Sequence, residues 1–149
     1  MLRSPCTTRS QTYPNPTGSP TDSADEAEIY VPEAICDLGT YHCDGLFSQG
    51  GNNITYEGNY IDVGGSGTAA IFFQSAPNST GNQVIGNYIK GGAYTLYNEN
   101  SDGLIVEYNT FAGYTYGDCD LRAGASWGTW CGNVSLDGGA ILAQATGCN

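Results

Sequence analysis

One histidine, His42, stands two residues before Asp44 in the segment His42-Cys43-Asp44-Gly45. Side chains two positions apart on an extended strand point to the same face of a sheet. An imidazole and a carboxylate on one face could transfer protons as acid and base. Arg122 is the cation that lies beside carboxylates, in Asp118-Cys119-Asp120-Leu121-Arg122. His42, Asp44 and Arg122 are therefore the candidate catalytic residues, and the favoured alternative is that the His–Asp pair braces a corner of the fold.

Two repeated patterns predict the elements that position these residues. The first places an Asn three positions after a large apolar residue and, mostly, two positions before another, at steps of 28, 22 and 24 residues, at Asn59, Asn87, Asn109 and Asn133. The second places apolar residues between these, at steps of 21 to 26 residues, at Leu46, Phe72, Leu96, Leu121 and Leu142. Each step carries short strand-like runs bounded by Gly, Asn or Asp and no helical period. A period of this length is typical of one coil of a parallel β-solenoid.

The predicted fold is all-β, a right-handed parallel β-helix of about five coils. Each Asn is expected to adopt the left-handed backbone of a corner and to hydrogen-bond the next corner, which forms a stacked column. Residues 29–149 are assigned to the β-helix domain. Residues 1–28, which are rich in Thr, Ser and Pro, are expected to form an irregular arm or cap.

Several segments are similar to known proteins, namely HCDGLFSQGGNNITYEGNYIDV from His42 to Val63, then GTAAIFFQ, GGAYTLYNEN, LIVEYNTFAGYTYGDC and WCGNVSLDGGAIL. They resemble the secreted right-handed parallel β-helix proteins of the pectate-lyase-like superfamily, in its group with parallel β-helix repeats. The resemblance implies the fold and an extracellular location. It leaves the activity open, because the superfamily includes lyases, hydrolases, epimerases and proteins without established catalysis.

The catalytic sets that the resemblance implies are incomplete in this chain. Lyases of the superfamily need a basic proton acceptor and a calcium site, and its hydrolases need clustered Asp with His and Arg or Lys. The chain has no Asp-Asp pair and no Arg-x-Pro-x-x-Arg string. We therefore predict a non-catalytic protein associated with carbohydrate. The alternatives are a polysaccharide lyase or glycoside hydrolase, and a structural subunit that self-associates through its solenoid ends into a filament.

An outward aromatic strip is the predicted glycan-binding feature. If Leu46, Phe72 and Leu96 point inward, the next residue on each coil points outward, which gives Phe47, Phe73 and Tyr97. Pyranose rings could stack on this strip, and Gln74 and Asn98 could reach their hydroxyls. The alternative is the reverse parity, which would bury these rings in the core.

Six cysteines in a short chain indicate three disulfides and an oxidising compartment. Short separations favour the pairs Cys36–Cys43 and Cys119–Cys131, which leaves Cys6–Cys148. Acceptor patterns for N-glycosylation occur at Asn53, Asn78 and Asn133, in agreement with secretion. The segment from Met1 to Cys6 lacks the apolar region of a signal peptide, so we expect a mature form or part of a longer protein.

The formal charge of −11 limits the classes of molecule that the protein can bind. Four basic residues are too few to build a patch for nucleic acid, which is excluded as a partner. The sequence contains no run of 18 apolar residues, so no membrane span is predicted. The charge favours a neutral glycan over an acidic one. No metal site is predicted, since no spaced Asp ligand loop is present, and calcium at scattered aspartates remains the alternative.

Overall fold

The structure, a computed structural model, describes residues 23–25, 27–31, 42–65, 67–74, 78–122 and 125–137. These residues form short strands and no helix. In chain order the strands are β1 (Ser23–Asp25), β2 (Glu28–Tyr30), β3 (Asp44–Gln49), β4 (Thr55–Glu57), β5 (Tyr60–Asp62), β6 (Ala69–Gln74), β7 (Ser79–Thr80), β8 (Gln83–Ile85), β9 (Tyr88–Lys90), β10 (Tyr94–Asn98), β11 (Ser101–Asp102), β12 (Leu104–Glu107), β13 (Thr110–Ala112), β14 (Gly117–Leu121), β15 (Trp127–Cys131) and β16 (Val134–Ser135).

The strands stack as a parallel β-solenoid, which confirms the predicted fold class. Sheet A has the order β1-β4-β8-β12-β15, sheet B the order β2-β5-β9-β13-β16, and sheet C the order β3-β6-β10-β14. Strands β7 and β11 form a short fourth sheet. The chain makes about three turns between β3 and β14, fewer than the predicted five coils. Sheets A and B reach five strands because β1 and β2 add a partial level at one end.

Strand β1 lies inside the segment 1–28, which the sequence predicts to be irregular. Ser23 pairs with Thr55 and Asp25 with Glu57. The backbone edge of β4 therefore offers the hydrogen-bonding groups with which this short strand pairs. The solenoid therefore begins before Ile29. The rest of the predicted arm, and Leu142 of the second pattern, lie outside the described residues.

The core consists of inward side chains that stack in register from coil to coil. On sheet B, Ile29, Ile61, Ile89 and Phe111 form one column, with each side chain at most 4% exposed. On sheet A the inward column is Tyr56, Val84, Val106 and Trp130. Each such side chain contributes about 1.5–3 kcal/mol when fully buried. Both columns are the apolar partners of the Asn pattern, so this part of the sequence prediction is confirmed.

The corner asparagines form a hydrogen-bonded column between sheets A and B, as predicted. Asn59 donates its backbone N–H and its Nδ2 to Oδ1 of Asn87, both at 2.9 Å. Asn87 makes the same two bonds to Asn109, and Asn109 makes them to Asn133, at 2.9–3.0 Å. The first carboxamide, Asn59, accepts the Ala27 N–H at 2.9 Å. Each buried amide thus satisfies the backbone of the coil beside it.

One detail of the predicted corner is wrong. The left-handed backbone belongs to the residue before each Asn, with φ between 57° and 66° at Gly58, Gly86, Tyr108 and Gly132. Glycine adopts this conformation without a steric penalty, which explains three of the four positions. The Asn that follows is thereby free to turn its side chain into the interior.

The second predicted pattern is also corrected, because the register of sheet C differs from the one expected. Leu46 and Leu96 align with Ile71 and not with Phe72, and Leu96 aligns with Cys119 and not with Leu121. Phe72 lies one position further on, beside Phe47 and Tyr97. Leu121 is exposed.

The predicted pair Cys119–Cys131 is wrong, because Cys119 is a free thiol. Burial raises the pKa of this thiol to about 12, with further increases from Asp118 and Asp120. Cys131 and Cys43 are disulfide-bonded. The predicted partner of Cys43, which is Cys36, and the pair Cys6–Cys148 lie outside the described residues.

Candidate functional site

The outer face of sheet C carries an aromatic column formed by Phe47, Phe72 and Tyr97, which occupy the same register position on β3, β6 and β10. The ring centroids of Phe47 and Phe72 are 5.6 Å apart at an interplanar angle of 82°. Those of Phe72 and Tyr97 are 4.6 Å apart at 74°. Phe47 is 44% exposed, Tyr97 is half-buried and Phe72 is only 2% exposed. The column thus presents two accessible rings with a buried ring between them.

This column corrects the predicted flat strip. Phe73, predicted to face outward, is 1% exposed and belongs to the hydrophobic core, and Phe72 takes its place on the outer face. The edge-to-face angles show that successive rings do not share a plane. Edge-to-face pairs are a preferred aromatic geometry and stabilise the column itself.

His42 and Asp44 form a hydrogen-bonded pair at one end of the column. Nδ1 of His42 lies 2.9 Å from Oδ2 of Asp44, and the other carboxylate oxygen accepts the Ala69 N–H at 3.0 Å. The imidazole is 56% exposed and packs on Phe72, with ring centroids 5.4 Å apart. Burial raises the pKa of Asp44, and the contacts with His42 and Ala69 oppose that rise. A buried carboxylate therefore orients an accessible imidazole.

Arg122 lies at the other end of the column. Its Nε donates to the Tyr97 hydroxyl at 2.7 Å and lies 2.7 Å from Oδ2 of Asp120. Its guanidinium carbon is 5.2 Å from the centroid of the Tyr97 ring, within the range of a cation–π contact. The hydrogen bond to Tyr97 and the charge of Asp120 raise the pKa of Arg122.

The three candidate catalytic residues are not brought together. His42 and Asp44 lie at β3, and Arg122 follows β14, at the opposite edge of the four-stranded sheet. Three strand spacings of about 4.8 Å separate those edges by roughly 14 Å. The structure places a His–Asp pair and an Arg–Asp pair at the two ends of one aromatic column.

The two polar residues predicted to flank the aromatic strip, Gln74 and Asn98, differ in burial. Gln74 is half-buried at the end of β6. Asn98 is fully buried, and its side chain accepts the Ser101 N–H at 2.8 Å and donates to the Ser101 carbonyl at 3.0 Å. The prediction that Asn98 reaches a ligand on the outer face is wrong, because this side chain closes a turn inside the coil.

The three glycosylation motifs also differ in accessibility. Asn53 and Asn78 are exposed. Asn133 is 4% exposed, and its Nδ2 donates to the Val106 carbonyl at 2.8 Å. A glycan on that nitrogen would break the corner column, so the prediction for Asn133 is wrong for the folded chain.

A second aromatic surface, on sheet B, was missed by the sequence prediction. Tyr60 and Tyr88 stack with ring centroids 4.9 Å apart and planes 2° from parallel. Beside them, Nζ of Lys90 lies 2.8 Å from Oδ2 of Asp62. The signal was present in the sequence, because the phrase Gly-Asn-Tyr-Ile recurs and both tyrosines occupy its third position. Equal positions in successive coils become neighbours on the outer surface.

No group of three or more His, Cys, Asp or Glu side chains within the described part of the chain could hold a metal ion. These described residues also contain no helix that is long and apolar enough to cross a membrane.

The comparisons with known proteins add no relative. No protein-family model matches the chain, and neither a curated protein nor a solved structure is found to be similar to it. The fold and the site geometry therefore carry the functional proposal.

Proposed function

We propose that the protein is an extracellular β-solenoid of the pectate-lyase-like superfamily that binds a neutral glycan across the aromatic column of sheet C and does not catalyse its cleavage. The observation that carries the proposal is the register that aligns Phe47, Phe72 and Tyr97 on one outer face. Phe47 and Tyr97 offer accessible ring surface for stacking with pyranose rings, and buried Phe72 holds both in place. The superfamily assignment rests on the parallel solenoid and on the sequence resemblance given above.

Polar groups beside the column suit a carbohydrate. His42 at one end and the Arg122–Asp120 pair at the other provide donors and acceptors for sugar hydroxyls. The net charge of −11 disfavours uronates, because they would be repelled by the surrounding surface. A neutral polymer is therefore the expected ligand.

The test is binding of purified protein to neutral polysaccharides and to a polyuronate at low salt. Loss of one stacking ring costs on the order of 1 kcal/mol, so Phe47→Ala and Tyr97→Ala should each weaken binding about fivefold. Tyr108→Ala is the matched control, because Tyr108 is exposed at the corner between sheets A and B. Equal binding of the polyuronate, or unchanged affinity in both ring variants, would contradict the proposal.

Cleavage of the same polysaccharide is the second candidate function, favoured by the accessible imidazole of His42 on a buried carboxylate beside the glycan surface. The polysaccharide panel is therefore also followed for new reducing ends and for unsaturated products. The expected result is no turnover. Turnover that disappears in a folded His42→Ala variant would replace the binding function by catalysis.

A further inference from the structure

The outer face of sheet B contains a cleft that plays no part in the proposed glycan site. The cleft has a volume of about 340 Å³ and is lined by Ala27, Glu28, Gly58 and Tyr60. Glu28 pairs with Tyr60 in the register of β2 and β5. Both side chains are exposed, Tyr60 by 43%. The cleft thus combines an aromatic ring with a carboxylate on the neighbouring strand.

The Tyr60 ring is held with one face covered and the other toward the cleft. In sheet B, β5 lies between β9 and β2. Tyr88 on β9 stacks parallel to Tyr60 and covers one face of its ring. Glu28 stands on the opposite side, at the same position along the strand. Stacking fixes the ring plane, so the ring face opposite Tyr88 is preorganised for a ligand that enters beside Glu28.

The charges around this cleft favour a cation. The face of an aromatic ring carries negative potential and attracts ammonium and guanidinium groups. The Glu28 carboxylate adds a full negative charge on the open side of the ring. Among the described residues of sheet B the basic side chain is Lys90, whose Nζ lies 2.8 Å from Asp62, so its charge is compensated within the protein. Asp62 and Gly64 belong to a separate cleft of about 250 Å³ further along the strands.

We propose that the cleft between Glu28 and Tyr60 binds an organic cation, a substituted ammonium or guanidinium group, through the face of the Tyr60 ring opposite Tyr88 and the Glu28 carboxylate. Gly58 lines the cleft at the corner, where its φ of 66° favours glycine. The ligand class differs from that of the aromatic column on sheet C, and the two sites lie on different sheets.

The experiment uses choline as the probe and measures shifts of the tyrosine ring signals by NMR in the intact chain. We expect saturable shifts of Tyr60 and Tyr88. The neutral isostere 3,3-dimethylbutan-1-ol should bind at least about tenfold more weakly, since it has the same shape but no charge. Glu28→Gln should weaken choline binding about fivefold, and Tyr60→Leu about tenfold, whereas Tyr116→Leu, at an exposed tyrosine near sheet C, should not change it.

Four outcomes would overturn the proposal: no saturable shift, equal affinity for the neutral isostere, unchanged affinity in Glu28→Gln, or preferential binding of methyl β-glucoside at the Tyr60 signals. Glu28→Gln changes only an exposed side chain, so it decides the question even if Tyr60→Leu fails to fold. Binding of glycan on sheet C is measured with Phe47 and Tyr97 variants, so the two proposals fail independently.

Discussion

At the scale of single residues, Asp118 is a buried carboxylate that is hydrogen-bonded through one of its two oxygens. Its side chain is inside the solenoid, 4% exposed, where Oδ1 accepts a hydrogen bond from the Ser135 hydroxyl at 3.0 Å. Its other oxygen has no hydrogen-bond partner among the residues described. Burial raises the pKa of Asp118, the Ser135 bond opposes that rise, and Asp137 adds to it. Burial also raises the pKa of Asp44, but both oxygens of that carboxylate have hydrogen-bond partners.

The first prediction concerns the stability of an Asp118→Asn variant. A folded pKa above the unfolded value means that the fold favours the protonated form. The penalty is absent below the unfolded pKa and complete above the folded pKa, so stability falls as pH rises between them. Asn keeps an acceptor for Ser135 and carries no charge, so the variant should be about 1 kcal/mol more stable at pH 7.

Urea unfolding at several pH values measures this effect. The advantage of Asp118→Asn over the wild type should shrink as pH falls toward the unfolded pKa of the carboxyl group. Glu57→Gln is the control at an exposed acid and should change stability by less than about 0.5 kcal/mol. An advantage of the same size at every pH would show that the charge of Asp118 is not the cause.

The asparagine column is the element that locks sheets A and B together. Besides its bonds to Asn59 and Asn109, Asn87 donates Nδ2 to the Tyr56 carbonyl at 2.9 Å and to the Ile85 carbonyl at 3.0 Å. Apart from the part-buried bond to Ile85, these bonds lie away from water, where an unpaired donor or acceptor costs about 1–3 kcal/mol. The column is therefore cooperative, because each side-chain amide forms hydrogen bonds with groups of two neighbouring coils.

Asn87→Ala is predicted to destabilise the fold by about 3 kcal/mol, because it removes the side-chain acceptor of the Asn59 N–H and a side-chain donor to the Tyr56 carbonyl. Asn52→Ala is the matched control, since the Asn52 carboxamide accepts the Thr80 N–H at an exposed position where water can replace it. It should cost less than about 1.5 kcal/mol. Similar losses in both variants, measured by urea unfolding, would contradict a special role for the column.

The charge of the whole molecule acts against the compact state. The chain carries −11, and within the part described the ion pairs of lysine and arginine are Lys90–Asp62 and Arg122–Asp120. The remaining acids repel one another across the surface, and salt screens that repulsion with a Debye length of about 10 Å at 0.1 M.

Added sodium chloride should therefore stabilise the protein near neutral pH. We expect the urea midpoint to rise between low salt and about 0.5 M NaCl, with most of the increase complete near 0.2 M, where the Debye length has fallen to about 7 Å and repulsion between distant surface charges is largely screened. A neutral osmolyte at equal osmolarity is the control for effects on water. A midpoint that falls with salt would mean that the favourable ion pairs dominate the surface repulsion.

The sequence by itself determined the solenoid, its Asn corners and the inward columns of sheets A and B. These features follow from residue types that recur at a coil-length spacing, such as Tyr56, Val84 and Val106 with Asn59, Asn87 and Asn109. Stacking requires equivalent positions to carry equivalent side chains, so a repeated pattern is evidence of repeated contacts. The same repeat contains Tyr60 and Tyr88, the stacked pair of sheet B. The cation proposed to bind there depends also on Glu28, which lies outside the repeat.

Only the tertiary structure decided which aromatic rings of sheet C face outward. Strand β6 reads Ala69-Ala70-Ile71-Phe72-Phe73, a continuous apolar run in which no alternation marks the inner and outer faces. A shift of one residue reverses the face of every side chain, and the backbone bonds of β6 to β3 and β10 set that register. The same pairing buries Asn98 and separates Arg122 from His42. Spacing along the chain predicts which coils stack, whereas the face each side chain takes depends on hydrogen bonds between strands about 25 residues apart.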